Sequence, residues 1–256
     1  MVNLIYGQLQ DNIRQGKKVD KPLLNWFLVT FVLSWLTFGV AIIYVFIKRI
    51  LRVDKYIRRK IEYFDMVIHF IEVESNERGL EDYEDIMNNL KNKLNNFKNE
   101  SLYIMPYFIK AFIPLIIFTT FLVLFIFFTG YENIEMWLLL VIGIVWALFA
   151  FGVIIVYIYK MNKVWDDIQK FEYAMYVEIS RAFIELKLIE HPIMYYMDLS
   201  IKKEFVKYTI LGFITCGVWF LVWDYYVHTA PDKLYNTFHG AETTVLEIIK
   251  SCCRRD

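Results

Sequence analysis

Four histidines, His69, His191, His228 and His239, are the residues with which this chain could hold a transition metal, and no two of them stand at ligand spacing. Of three cysteines, Cys216 sits in an apolar run and Cys252 and Cys253 are adjacent near the C-terminus. Adjacent cysteines rarely pair with each other, so they read as one buried small residue and a reduced tail rather than a disulfide framework. No phosphate-binding Walker loop, dinucleotide-binding Gly-x-Gly-x-x-Gly, nucleophile elbow or His-Glu-x-x-His occurs. The expectation is a chain that is not an enzyme and carries no cofactor or metal. Functional sites inside membranes show as ionisable residues within apolar spans. Here only Lys110 and Asp224 qualify, both at the ends of apolar runs, where they read as interfacial anchors. That counts against proton-coupled transport.

One basic run has a chemistry of its own. "RVDKYIRRK" offers Lys55, Arg58, Arg59 and Lys60 as candidate contacts for anionic lipid headgroups. Its simpler reading is ordinary positive-inside flanking. The acidic run "ESNERGLEDYED" reads as a solvated helix turn.

The elements that must position these residues are helices, mostly in a membrane. The chain has 256 residues, 57% of them hydrophobic and 18% aromatic, with five Pro and ten Gly. That is too apolar for a water-soluble surface and too poor in strand-like alternation for a β fold. Net charge is zero, so no overall field points to nucleic acid. The fold class expected is all-α: a polytopic helical membrane protein of the cell membrane with a cytoplasmic helical-hairpin bundle.

Four apolar blocks carry that expectation: Leu23 to Ile47, Ala111 to Phe128, Met136 to Tyr159 and Tyr208 to Val227. The second and third are long enough to cross a hydrocarbon core and are joined by "TGYENIE", so they form a transmembrane hairpin. The link carries two Glu and no Lys or Arg, whereas seven basic residues lie between Lys48 and Lys60. The positive-inside rule therefore places residues 48–110 and 160–207 in the cytoplasm. The segments are 1–22 (N-terminal, cytoplasmic), 23–49 (membrane segment 1), 50–105 (cytoplasmic helical hairpin), 106–159 (transmembrane hairpin), 160–204 (cytoplasmic amphipathic helices), 205–235 (membrane segment 4) and 236–256 (C-terminal tail). Apolar residues recur in steps of three and four at Val53, Ile57, Ile61, Phe64, Ile68 and Ile71, and again at Tyr83, Met87, Leu90, Leu94 and Phe97. Gly79 marks the turn between these arms. A third stripe, Val164, Ile168, Phe171, Met175, Ile179 and Phe183, predicts a helix over Met161 to Ile189. These stripes pack within the chain, against a cytoplasmic protein partner, or between subunits of a homo-oligomer.

Membrane segments 1 and 4 resemble each other. At an offset of 178 residues Thr37 meets Thr215, Gly39 meets Gly217 and Val40 meets Val218, with Asp54-Lys55 over Asp232-Lys233 downstream. The stretch "ITCGVWFLVWDYY" resembles the Thr-Cys-Gly-Ile-Tyr-x-x-x-Trp core of a prokaryotic membrane-domain family, domain of unknown function 4234. Thr215, Cys216, Gly217 and Trp223 match that core, and Trp219 stands where the family favours Tyr. The first copy keeps Thr37 and Gly39 but has Phe38, Ala41 and Val45 at the other core positions. The resemblance implies a membrane location and no activity.

By length each segment could span once as a single helix. A break at Thr-x-Gly would instead make each a re-entrant pair of half-helices and bring both termini to the cytoplasm with the other basic clusters. Both readings remain open, with the charges on the side of the break. The function expected is a scaffold, membrane-shaping or protein-interaction component in contact with the lipid bilayer. The alternative is an oligomeric channel, for which Thr30, Ser34, Thr119 and Thr120 are the candidate lining groups.

Overall fold

Three helices of 38, 50 and 36 residues run side by side and set the architecture. A computed structural model describes residues 2–19, 25–28, 32, 36, 40–79, 83–101, 104–129, 135–195, 197, 204–215 and 217–253. In chain order its helices are α1 (Val2–Val19), α2 (Val40–Glu77), α3 (Glu84–Ser101), α4 (Ile104–Thr129), α5 (Met136–Glu185), α6 (Phe205–Ile214) and α7 (Val218–Cys253), with no strand among the described residues.

The long helices α2, α5 and α7 point the same way, as their ring contacts show. Phe46, Tyr56 and Phe70 of α2 meet Tyr157, Trp165 and Phe183 of α5 in order, with centroids 4.6, 5.5 and 6.1 Å apart. Phe220 and Phe238 of α7 meet Phe151 and Tyr176 at 5.0 and 5.9 Å. At 1.5 Å per residue α5 alone is about 75 Å long, more than a bilayer needs.

That length spans two chemically distinct zones. Towards its start α5 pairs antiparallel with α4: Trp146 Nε1–H donates to Thr119 Oγ1 at 3.0 Å and Phe118 meets Phe149 at 5.6 Å. The outer faces of this hairpin are bare and apolar, including Ile117, Phe121 and Phe128 on α4 and Leu140, Ile144 and Leu148 on α5. Among the described residues α5 is the one helix long and apolar enough to cross a membrane.

Beyond this zone the same helices enter a bundle with a polar exterior. Its core is aromatic: Tyr63, Phe64, Phe70, Trp165, Tyr176, Phe183 and Phe238 are fully buried. The asparagine-rich α3 folds back along α2 and α5, burying Ile86, Leu90, Leu94 and Phe97. Phe97 stacks on Phe171 at 3.7 Å, and Lys91 and Lys98 pair with Glu72 and Asp65 of α2. Packing holds a helix that asparagine alone would disfavour.

Several expected boundaries fall inside helices. The divisions at 49/50, 159/160 and 235/236 lie within α2, α5 and α7, because no Pro or Gly stands near the first two and Pro231 of α7 is accommodated. The stripe expected to begin a new helix at Met161 continues α5 and ends at Glu185. Residues 236–253, expected as a tail, extend α7 and bury Phe238, Ala241, Val245 and Ile249; residues 2–19 bury Ile5, Leu9 and Ile13 in the same bundle. Thus the chain lies on the bundle side both before its first apolar segment and after its last.

The Thr-x-Gly of segment 4 is a turn between helices. α6 stops at Ile214, Gly217 takes the left-handed φ of +93°, and α7 begins at Val218. The Gly217 N–H donates to Gly212 O at 2.8 Å, closing the end of α6. Thr215 Oγ1 donates to Leu211 O at 2.7 Å and accepts the Trp219 N–H at 3.0 Å, so one hydroxyl serves the end of one helix and the start of the next. The helices then pack antiparallel, Tyr208 lying 5.9 and 5.5 Å from Trp219 and Trp223. They approach closely at Gly212, where a Cβ would stand 2.3 Å from the Phe220 ring. Gly217→Ala is expected to lose about 1–2 kcal/mol, the cost of a side chain in the left-handed region. Gly143→Ala on α5, where a Cβ meets nothing within 4 Å, should lose none. Thermal unfolding midpoints in detergent compare the two. Thr37, Gly39 and Cys216 lie outside the described residues.

Candidate functional site

The bundle core contains a buried ionic cluster at the junction of all three long helices. Arg59 and Lys60 come from α2, Glu172 from α5 and Glu242 from α7, and none is more than 5% exposed. Lys60 Nζ lies 2.6 Å from Glu172 Oε2 and 2.9 Å from Glu242 Oε1, while Arg59 Nη1 reaches Glu242 Oε1 at 2.9 Å. The Tyr56 hydroxyl donates to Glu172 Oε1 at 2.5 Å. Two cations and two carboxylates sum to zero, the condition under which charges can remain in a dry interior. The rings of Tyr56, Tyr63 and Phe238 surround the ammonium at 5.4, 5.9 and 5.5 Å. α1 closes the cluster: Asn12 Nδ2–H donates to Arg59 O at 3.2 Å, and Gly16 leaves room for the guanidinium, which a Cβ there would approach to 2.8 Å.

The two carboxylates respond to burial in opposite senses. Burial favours the neutral form of Glu242, but Lys60, then His239 (its Nδ1 3.7 Å from Oε2) and Arg59 outweigh it and hold this carboxyl well below its ordinary 4.5. At Glu172 burial outweighs Lys60 and the Tyr56 hydrogen bond, and the carboxyl is raised. Below pH 4.5 the unfolded chain takes up a proton that folded Glu242 refuses, so its contribution is present above 4.5 and lost as pH falls. Glu172 acts the other way, costing stability as pH rises from 4.5 through its raised value. Midpoints measured between pH 3 and 7 are therefore expected to fall less steeply in acid for Glu242→Gln, and to decline less above pH 4.5 for Glu172→Gln.

A second node stitches α2 to α7 near the apolar zone. Arg49 grips Asp224 with two contacts of 2.5 and 3.0 Å, and Trp26 Nε1–H donates to the same carboxylate at 2.8 Å. Arg49 Nη2 also lies 3.1 Å from His228 Nδ1. Arginine only donates, so this nitrogen accepts and the His228 proton sits on Nε2. Between the two nodes Arg52 pairs with Asp232 at 2.7 Å.

Of the four candidate lipid contacts, only Lys55 and Arg58 are exposed. Arg59 and Lys60 are turned inward onto carboxylates, because they share the helix face of Arg49, Arg52 and Tyr56. Asp224, expected as an interfacial anchor, is an ion-pair partner, and Trp223 is fully buried inside the α6–α7 hairpin. Glu172 and Glu242 were not singled out in the sequence, and Asp232 only as a position of the repeat, not as a partner of Arg52. Their signal was an acidic residue on an otherwise apolar face, opposite a helix with arginines on its own apolar face. Among the described residues no group of three or more His, Cys, Asp and Glu could hold a metal. Each carboxylate of the cluster is occupied by a cation, which suits a clamp.

Compared with family models, with curated proteins and with solved structures, the chain gives no match in any of the three.

Proposed function

We propose that this chain is a non-enzymatic, multi-pass protein of the cell membrane whose bundle, on the cytoplasmic face, serves as a scaffold or protein-interaction module. The observation that carries it is continuity: α2, α5 and α7 pass unbroken from a bare apolar zone into a polar-surfaced bundle and are clamped there by neutral ion-pair networks. A lipid bilayer is the partner that would cover the apolar faces of α4 and α5. In this reading segments 1 and 4 re-enter at the inner leaflet, Lys55 and Arg58 face anionic headgroups, and residues 205–235 belong with the domain of unknown function 4234. Supporting it, the α6–α7 turn returns the chain to the side it came from.

An oligomeric channel would need a polar path through the apolar zone. Thr119 instead accepts the Trp146 indole, and Thr120 Oγ1 donates to Ile116 O at 2.8 Å within its own helix. Thr30 and Ser34 lie outside the described residues. Reconstitution into liposomes separates the two: no ion flux above empty vesicles is expected, and robust selective flux would replace the scaffold with a pore.

A further inference from the structure

Both ends of apolar segment 1 meet one carboxylate. Asp224 accepts the Trp26 Nε1–H at 2.8 Å and the Arg49 guanidinium at 2.5 and 3.0 Å. Trp26 and Arg49 are 23 positions apart, and one straight helix would separate them by about 35 Å, beyond the joint reach of two side chains. Segment 1 therefore leaves on the side where it enters, as segment 4 does through the turn at Gly217.

The helix α5 gives the depth of these hairpins. Phe46 of α2 meets Tyr157 at 4.6 Å, and Phe205 at the start of α6 meets Tyr159 at 4.7 Å. From Tyr157 back to Met136 α5 rises about 32 Å, close to one hydrocarbon core. The α6–α7 hairpin reaches only Phe151, which meets Phe213 and Phe220 at 6.4 and 5.0 Å. Its turn stands about 12 Å above Tyr157, less than half of that core. α2 begins at Val40, about 9 Å above Phe46. The outer surface of the α6–α7 tip is apolar, with Ile210, Phe213, Ile214 and Val218 exposed.

The bundle-side half of the apolar zone thus holds α2, α4, α5, α6 and α7, whereas among the described helices only α4 and α5 continue to the far side. At about 10–12 Å across, three extra helices occupy about 300 Å² of one leaflet. Area added to one leaflet alone is accommodated by bending the membrane with that side outward.

We propose that the half-depth hairpins form a wedge, and that the chain collects on strongly curved bilayer whose bundle-side leaflet is convex. This rests on the membrane reading above, and the test lets the two fail separately.

The full chain, with Cys216, Cys252 and Cys253 replaced by alanine, is reconstituted into giant vesicles of phosphatidylcholine and phosphatidylglycerol, and a narrow tube is pulled from each. A membrane-impermeant dye on Ser251→Cys marks molecules whose bundle faces outward, and on Glu135→Cys those whose bundle faces the lumen. The outer leaflet of the tube is convex. The ratio of protein to lipid dye on the tube, relative to the vesicle, should lie above unity for outward bundles and below unity for inward ones. Unity or less for outward bundles overturns the proposal. The bulk of the bundle alone would also favour the tube. Ile214→Asp and Val218→Asp, at side chains 71 and 59% exposed, draw the tip towards water and should each return the ratio towards unity. Variants that keep both the parent's thermal midpoint and its ratio overturn the wedge in favour of bulk. Carbonate extraction sorts the remaining causes. A carbonate-resistant chain without enrichment overturns the wedge alone, and a chain released by carbonate overturns the membrane reading and the wedge with it.

Discussion

Lys60→Met will cost the fold about 3–5 kcal/mol, the price of leaving a buried charge without its partner. The ammonium is 1% exposed and touches both Glu172 and Glu242, so its loss leaves Glu172 with the Tyr56 hydroxyl and Glu242 with Arg59. Ordinary domains hold about 5–15 kcal/mol in total, so the variant should unfold roughly 6–20 °C early or fail to accumulate. Charge and packing make different predictions for a second variant. Lys60→Met combined with Glu172→Gln removes one cation and one anion, restores neutrality, and should recover most of the loss. A thermal midpoint of Lys60→Met equal to that of the parent chain would show that the cluster does not hold the bundle together. The packing explanation would be left standing if the double variant were as unstable as the single one.

The second large effect is expected at the other node. Asp224→Ala removes the acceptor of both Arg49 and Trp26 and leaves a guanidinium 5% exposed that faces His228 and Tyr157 in place of a carboxylate. About 3–5 kcal/mol is again expected, measured as a shift in thermal midpoint. Arg49→Met in the same chain should return part of it. The ion pairs of the two nodes join different residues, and Arg49 and Lys60 stand about three turns apart on α2, so the effects of Lys60→Met and Asp224→Ala should add within about 0.5 kcal/mol. A strongly non-additive sum would show instead that α2 couples them.

What the sequence made legible, and what it hid, follows from where period and charge agree. The α2–α3 hairpin was readable because Val53 to Ile71 and Tyr83 to Phe97 keep helical spacing with polar residues between them. The turn at Thr215 and Gly217 was readable because a left-handed residue is so often glycine. The first and last segments were missed as core although Ile5, Leu9 and Ile13, and Phe238, Ala241, Val245 and Ile249, carry the same spacing. Each is short or interrupted by polar residues and stands next to a far stronger apolar run. The ion-pair clusters were hidden for a deeper reason. Arg59 and Lys60 beside Lys55 and Arg58 look like one basic patch, and only the partner helices reveal that the last two residues of the run face inward. Pairing across 112 to 183 positions leaves no local trace.

In the proposed topology the bundle, with the first and last helices both inside it, lies on one side of a membrane and the link between α4 and α5 on the other. Single cysteines at Gly7, Ser251 and Glu135, in a chain whose native cysteines are replaced by alanine, test it with a membrane-impermeant thiol reagent on intact cells. Glu135→Cys should be labelled from outside, and Gly7→Cys and Ser251→Cys only after the cells are permeabilised. Labelling of Gly7→Cys or Ser251→Cys in intact cells would contradict the account.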